Sequence, residues 1–529
     1  MPENQSPPPQ FPPPGGAPRD APQGMPMWSN QTPTEALAAA YGPPQGPPPR
    51  RPRYRKPVVV TAVAVAFALV VGLGAWFLGS GDDDKSATAG AAPSGGPGRS
   101  PKGPGGRSAQ PVPPVVPVPP KGDPTAGPTA DMAYLWGLPQ VADDHATADE
   151  APRGGWLTAA RVYVVRRSGI AVYDTDTGVP LGAIALPSGD RQAVVCSALA
   201  RPLGGVGLVA WEPGKDSDEG CVHVTAVDLA TGAVLWTQKL DEGGGLVALT
   251  ATDRFAVAGV ESTVYGFDLR SGTRLWRWAT PADTAAGGRW FVRDVLAAER
   301  SVAVTLSNID MGETVGGIAT IDAASGATTA QSAPAEGIQD VPRLVSASPV
   351  VVYDYDAQKP EQAALVVYDH ALNARTRLAP VSRDDTGIDL EDSMMSPTGP
   401  NAFEGSAAVS GGTLYATLWL GDSGRAVAAY DLADGKTLWA VSTKTLGGPA
   451  DPITADAQGV DFAFGNFVGD EKRIVHFAAA DGAISTTGIL RGGQNGPFDV
   501  GGLTVVAGGR AAFFSPGQKH PVVEVFGAR

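Results

Sequence analysis

Cysteine is nearly absent from this chain: Cys196 and Cys221 are the only two in 529 residues, and they are not adjacent. That excludes a disulfide-dense secreted scaffold and any metal site built from several thiolates. Histidine is almost as scarce, and His145, His223, His370, His476 and His520 show no metal-ligand spacing. Basic charge is also short, with 40 Lys and Arg against 54 Asp and Glu. A net charge of −14 lacks the basic face that phosphates demand, so no nucleic-acid partner is expected. No nucleophile elbow, zinc-protease helix or phosphate-cradling loop occurs. The acidic stretch from Asp384-Asp385 to Glu391-Asp392 does not follow the glycine and ligand spacing of a calcium loop, and reads as solvated surface. No catalytic, cofactor-binding or metal-binding residue can be named from these patterns, and no cofactor is expected.

Long apolar runs are missing too, with one exception. Val58 through Gly79 holds no charged residue, and its 22 residues as a helix span about 33 Å, enough to cross a bilayer. Arg50, Arg51, Arg53, Arg55 and Lys56 precede it, and Asp82-Asp83-Asp84 follows. By the positive-inside rule the N-terminus is then cytoplasmic and the rest extracellular. A cleaved signal peptide would have a shorter apolar region and a far shorter leader. Residues 1–56 are proline-rich, as in Pro7-Pro8-Pro9, and cannot bury enough apolar surface to order themselves. Residues 80–130 are rich in Gly, Pro, Ser and Ala and end in a Pro/Val run, Pro111 to Pro120. That run suits a semi-rigid polyproline II stalk. The expected order is a disordered tail at 1–56, a single transmembrane helix at 57–79, an extracellular linker at 80–130 and a folded domain at 131–529.

What the chain does have is a repeat. Ala226-Val227-Asp228-Leu229-Ala230-Thr231-Gly232-Ala233-Val234-Leu235-Trp236 reads as strand, tight turn, strand. Val224 and Ala226 fall on one face of the extended run, Val227 and Leu229 on the other. The unit recurs as Asp268, Gly272 and Trp276, and again as Asp431, Gly435 and Trp439, with Gly four after Asp and Trp four after Gly each time. Weaker copies start at Asp174, Asp322 and Asp369, the last with Asn373 near the glycine place. A further copy at Gly482 lacks the leading Asp. Steps of 54, 40, 54, 47 and 62 residues link the Asp residues from Asp174 to Asp431. A period of this size in strand and turn implies an all-β fold, the β-propeller. The turns at Gly178, Gly232, Gly272, Gly326, Asn373, Gly435, Gly482 and Gly517 predict eight four-stranded blades, or seven if one terminal hairpin completes the other. Closure requires the first and last strands to share a blade or lie side by side.

The Asp-Gly-Trp spacing resembles the tryptophan-docking motif of the pyrroloquinoline-quinone-like propellers, in the membrane-anchored arrangement of actinobacterial-type members. The match covers 150–529 and is strongest at 226–236, 266–276 and 429–439. The resemblance implies that Trp236, Trp276 and Trp439 pack between adjacent blades while the Asp and Gly residues shape the turn. Blades that lack the Trp must dock more loosely or by other side chains. Enzymes of that family carry a vicinal disulfide and a calcium site, and this chain has no adjacent cysteines. The expected function is therefore a non-catalytic binding, scaffold or sensor module for a protein, peptide or cell-wall ligand, with Trp211–Cys221, 383–401 and 451–463 as the loops to watch. The alternative is an enzyme using the funnel, a quinoprotein-like oxidoreductase or a hydrolase or lyase. Cys196 and Cys221 sit in one repeat and, in an oxidising compartment, are expected to pair, Cys196 in an inner strand and Cys221 opening a later strand of the same blade.

Overall fold

The computed structural model describes residues 131–138, 152–189, 192–214, 220–244, 247–281, 289–310, 313–332, 343–354, 364–378, 387–388, 407–419, 425–446, 450–465, 471–492, 503–514 and 523–528. The tail, the apolar run, the linker, His145, His520 and most of the acidic stretch near 384–392 lie outside these residues. Among the described residues no helix is long and apolar enough to cross a membrane.

The described residues are strand, turn and irregular connections, the strands falling in antiparallel runs of four. Sheets one to seven follow chain order at 152–184, 194–244, 248–279, 290–332, 343–378, 407–442 and 450–491. The short strand Gly387–Ile388 adds to sheet six. Sheet eight consists of Leu503–Ala507, Arg510–Phe514 and Val523–Gly527, with the N-terminal strand Asp131–Leu138 as its fourth member. That N-terminal strand also runs parallel to the outer strand of sheet seven over Asp131–Ala133, which joins sheets seven and eight.

The first strands of the eight runs form a ring. Pro152–Leu157 touches Val194–Ala198, which touches Ala248–Ala251, then Trp290–Ala297, Arg343–Ala347, Ala407–Ser410, Ala450–Ala455 and Leu503–Ala507, and the last touches the first. Each sheet therefore has a neighbour on both faces. This explains why the middle strands are buried without alternation, as in Phe255–Val260, where all six residues are buried. The outer strand Arg274–Ala279 alternates instead, because one side there meets water. Val224 and Ala226 pack with Leu249 and Phe267 of sheet three, whereas Val227 and Leu229 pack with Trp156 and Tyr163 of sheet one.

Two sequence readings need correction. The 510–527 hairpin, read as an outer hairpin turning at Gly517, is the second and third strands of sheet eight, because the fourth comes from the N-terminus. At the Asp369 turn the left-handed residue is Leu372 (φ 58°), not Asn373. The Asn373 backbone N–H instead donates to the Asp369 carboxylate at 2.9 Å.

Candidate functional site

Each repeat motif occupies the turn between a third and a fourth strand. Asp228 Oδ1 accepts from the backbone N–H of Ala230 and Thr231 and from the Thr231 hydroxyl at 2.8–3.0 Å. Asp268 does the same with Arg270 and Ser271. Asp431 accepts from the Ala433 N–H at 2.8 Å. The turn then needs a left-handed residue, which Gly232, Gly272 and Gly435 supply at φ 79°, 70° and 74°.

The tryptophan of one sheet works on the turn of the next. Trp236 donates its indole N–H to Leu269 O at 2.9 Å, Trp276 to Ala323 O at 2.8 Å, and Trp439 to Ala479 O at 2.9 Å. Each acceptor is the residue after the Asp position of the neighbouring motif. The indoles also cover the neighbour's glycine, as Trp236 does Gly272, where any Cβ would collide with the ring. So the glycine answers two demands at once, a left-handed backbone and room for a partner's indole.

Sequence reasoning missed a fourth docking tryptophan. Trp136, on the closing strand, donates to Thr175 O of sheet one at 2.8 Å and covers Gly178. The only signal was the pair Leu135-Trp136, which repeats Leu235-Trp236, Leu275-Trp276 and Leu438-Trp439. Arg510 of sheet eight pairs with Asp176 of the same turn, Nε to Oδ1 at 2.8 Å. Where no outer-strand tryptophan reaches the next turn, other groups dock there; sheet one also sends the Trp156 indole N–H from its first strand to Leu199 O at 2.7 Å. In sheet one the Tyr163 hydroxyl donates to Leu229 O at 2.7 Å, and in sheet five the Thr376 hydroxyl donates to Ala433 O at 3.3 Å.

Hydrogen bonds to the turn carboxylates stabilise their charged form. The Thr231 and Ser271 backbone N–H groups, with their hydroxyls, hold Asp228 and Asp268 below the usual carboxylate range. The Thr177 and Ser325 hydroxyls lead the same effect at Asp174 and Asp322, and the Asn373 N–H leads it at Asp369. A group whose folded pKa is lowered contributes stability above its unfolded pKa, near 4, and loses it as pH falls through the folded value. The thermal midpoint should therefore fall as pH drops below about 4, and a variant with Asn at these five positions should show a flatter acid limb.

The inner wall is irregular. The first strands of sheets one, two, four, five and seven each slip register around one residue: Arg153, Cys196, Arg293, Val345 and Ile453. Such bulges bend a strand and re-aim its side chains. Arg201, after the first strand of sheet two, donates to Pro452 O in the first strand of sheet seven at 3.1 Å, a link between sheets three places apart around the ring. Cys196 lies in the first strand of sheet two and Cys221 opens its third, and a disulfide joins them with Cα atoms 6.4 Å apart. The bridge closes 26 residues and is worth about 3.5 kcal/mol in the chain-entropy model. Replacing both cysteines with alanine should lower the unfolding free energy by about that amount in a denaturant titration. Among the described residues no cluster of His, Cys, Asp and Glu could hold a metal ion. Of the expected loops, 383–401 falls largely outside the described residues, and Trp211–Cys221 runs from the end of one strand to the start of the next with 215–219 outside them. The third, 451–463, is not a loop but the antiparallel first pair of sheet seven, Ala450–Ala455 and Gly459–Gly465.

A closed ring of four-stranded antiparallel sheets, docked by tryptophans onto neighbouring turns, defines a β-propeller. No family model matches the chain. A 71-residue stretch is 35% identical to tetrathionate hydrolase of Acidithiobacillus ferrooxidans, covering 12% of this chain and 14% of that protein. Among solved structures it is similar to BamB from Moraxella catarrhalis (18% identity, TM-score 0.38, covering 74% of this chain and all of that one). It is also similar to the C-terminal WD40 domain of Sif2 (11% identity, TM-score 0.43, 76% and 99% covered). A third is quinohemoprotein alcohol dehydrogenase ADHIIG from Pseudomonas putida HK5 (12% identity, TM-score 0.42, 78% of each chain). These likenesses span enzymes and non-enzymes, and the fold assignment rests on the ring itself.

Proposed function

We propose that this chain is an eight-bladed propeller acting as a non-catalytic binding or scaffold module, held outside the cell by one transmembrane helix. The observation that carries the reading is the use to which the recurrent residues are put. Trp136, Trp236, Trp276 and Trp439 all spend their indole N–H on the next blade's turn. The turn carboxylates of Asp174, Asp228, Asp268 and Asp322 accept from their own turns. The features that set this sequence apart are thus engaged in holding a rigid ring, and a rigid ring presents loops to a partner. The ring of first strands supports a count of eight. The basic cluster at 50–56, the uncharged 58–79 run and Asp82-Asp83-Asp84 support the topology. The ligand is a protein, a peptide or a cell-wall component.

Crosslinking on intact cells, followed by identification of what the propeller captures, tests the function. Protease added to the same cells should remove the propeller and leave the tail. A protected propeller would overturn the topology.

A further inference from the structure

In four seams of the ring an indole fills the space over the next turn glycine. Trp136 over Gly178, Trp236 over Gly272, Trp276 over Gly326 and Trp439 over Gly482 all place ring carbons 2.4–2.7 Å from where a Cβ would stand. The seam between sheets one and two departs from this. Val172 opposes Gly182 there, as Gly266 opposes Trp276 and Ala226 opposes Trp236, so a glycine stands at the tryptophan's register. A Cβ on Gly182 would meet nothing within 4 Å, and one on Gly232 would meet only the Tyr163 hydroxyl, at 3.8 Å. Among the described residues no indole occupies the docking slot over Gly232.

Exposed apolar residues lie close in sequence to both Gly182 and Gly232. Val179 and Leu181 on one sheet, and Val234 and Leu235 on the next, are 54%, 53%, 38% and 36% exposed. The polar needs of the turn are already met, because Tyr163 donates to Leu229 O and Arg161 to Ala230 O. An incoming ring need only offer apolar surface, with the Arg161 guanidinium close by. The outer strand Pro180–Ile184 ends its sheet and carries no charged residue to discourage pairing. The fold already adds a strand to such an edge, since Asp131–Ala133 pairs with Ile489–Arg491 on the outer strand of sheet seven.

We propose that this seam docks an extended partner segment bearing an aromatic residue, whose ring enters the slot over Gly232 while its backbone adds to the edge of Pro180–Ile184. The chain's own Leu-Trp pairs show what fits, so the segment carries an aliphatic residue followed by tryptophan. This rests on the reading of the propeller as a binding module and names the chemistry of its partner.

The test uses the full chain in detergent and a fluorescein-labelled peptide, Ala-Val-Leu-Trp-Thr-Gln-Lys-Leu, the sequence of residues 233–240. Fluorescence anisotropy should show saturable binding that weakens at least about tenfold when the peptide's tryptophan becomes alanine. Leu181→Asp should weaken it by a similar factor, and its exposed position leaves folding intact. Equal affinity for both peptides, or no saturation up to roughly 1 mM, would overturn the proposal. So would self-association of the full chain that Leu181→Asp abolishes, because a second copy would then be the occupant. If the partners crosslinked on cells are the same for Leu181→Asp as for the unaltered chain, the binding function stands and this site falls.

Discussion

Trp236→Ala should lower the unfolding free energy by about 3–5 kcal/mol, whereas Leu235→Ala, one residue away, should change it by less than about 0.5 kcal/mol. The two side chains are neighbours in sequence with opposite fates. Trp236 is 7% exposed and packs in the cluster shared by sheets two and three. Its ring centroid lies 5.7 Å from that of Phe267 on the next sheet. Leu235 projects outward. Alanine at 236 removes the ring and leaves a cavity over Gly272, which has no side chain with which to refill it. It also strips Leu269 O of its donor. Trp236→Phe separates the two effects. It keeps most of the apolar contact and loses the N–H, at about 1–3 kcal/mol if the carbonyl then stays unpaired. Denaturant titrations of the three variants read all of this. Equal losses for Trp236→Ala and Leu235→Ala would show that the indole is not the seam's anchor.

The same pair shows why so much of the fold is readable from sequence. Every seam of a ring poses the same local problem of closing a turn and covering it from the neighbour, so the answer recurs at fixed offsets. Asp228, Gly232 and Trp236 are legible because all three lie within nine residues and repeat. Where the answer comes from another part of the chain, the pattern disappears. Trp136 does the work of Trp236, but its strand enters from the N-terminus without a turn before it, so it carries only the Leu-Trp fragment of the motif. Tyr163 reaches Leu229 O from a second strand instead of a fourth, and no spacing rule links the two residues. Alternation alone cannot tell a second-third pair from a third-fourth pair, so from sequence the last hairpin reads as an outer one. The inner wall is less legible still. A bulge at Cys196 or Arg293 is a matter of register between strands, and the Arg201–Pro452 contact joins residues 251 positions apart.

Closure of the ring also depends on a pair that no periodic pattern foretells. Lys472 on the third strand of sheet seven meets Glu524 on the third strand of sheet eight, Nζ to Oε2 at 2.5 Å, with both side chains less than a tenth exposed. The ammonium also lies 5.3 Å from the centroid of Phe513 and 5.7 Å from that of Phe526. Two charges withdrawn from water in this way roughly offset each other while both are present. Removing one strands the other. Lys472→Met should therefore cost about 3–5 kcal/mol, because the Glu524 carboxylate stays buried and loses its Lys472 counter-ion. Glu524→Leu should cost a similar amount for the reverse reason. The double variant, Lys472→Met with Glu524→Leu, buries apolar groups in place of both charges and should recover most of the loss. A double-mutant cycle by denaturant unfolding gives the coupling directly, and single losses that simply add in the double variant would show that the two groups do not act as a pair. If the cycle closes as expected, the ion pair contributes little net stability. Its effect is to penalise any closure of the ring that leaves one partner alone, which favours the register in which the N-terminal strand completes the eighth sheet.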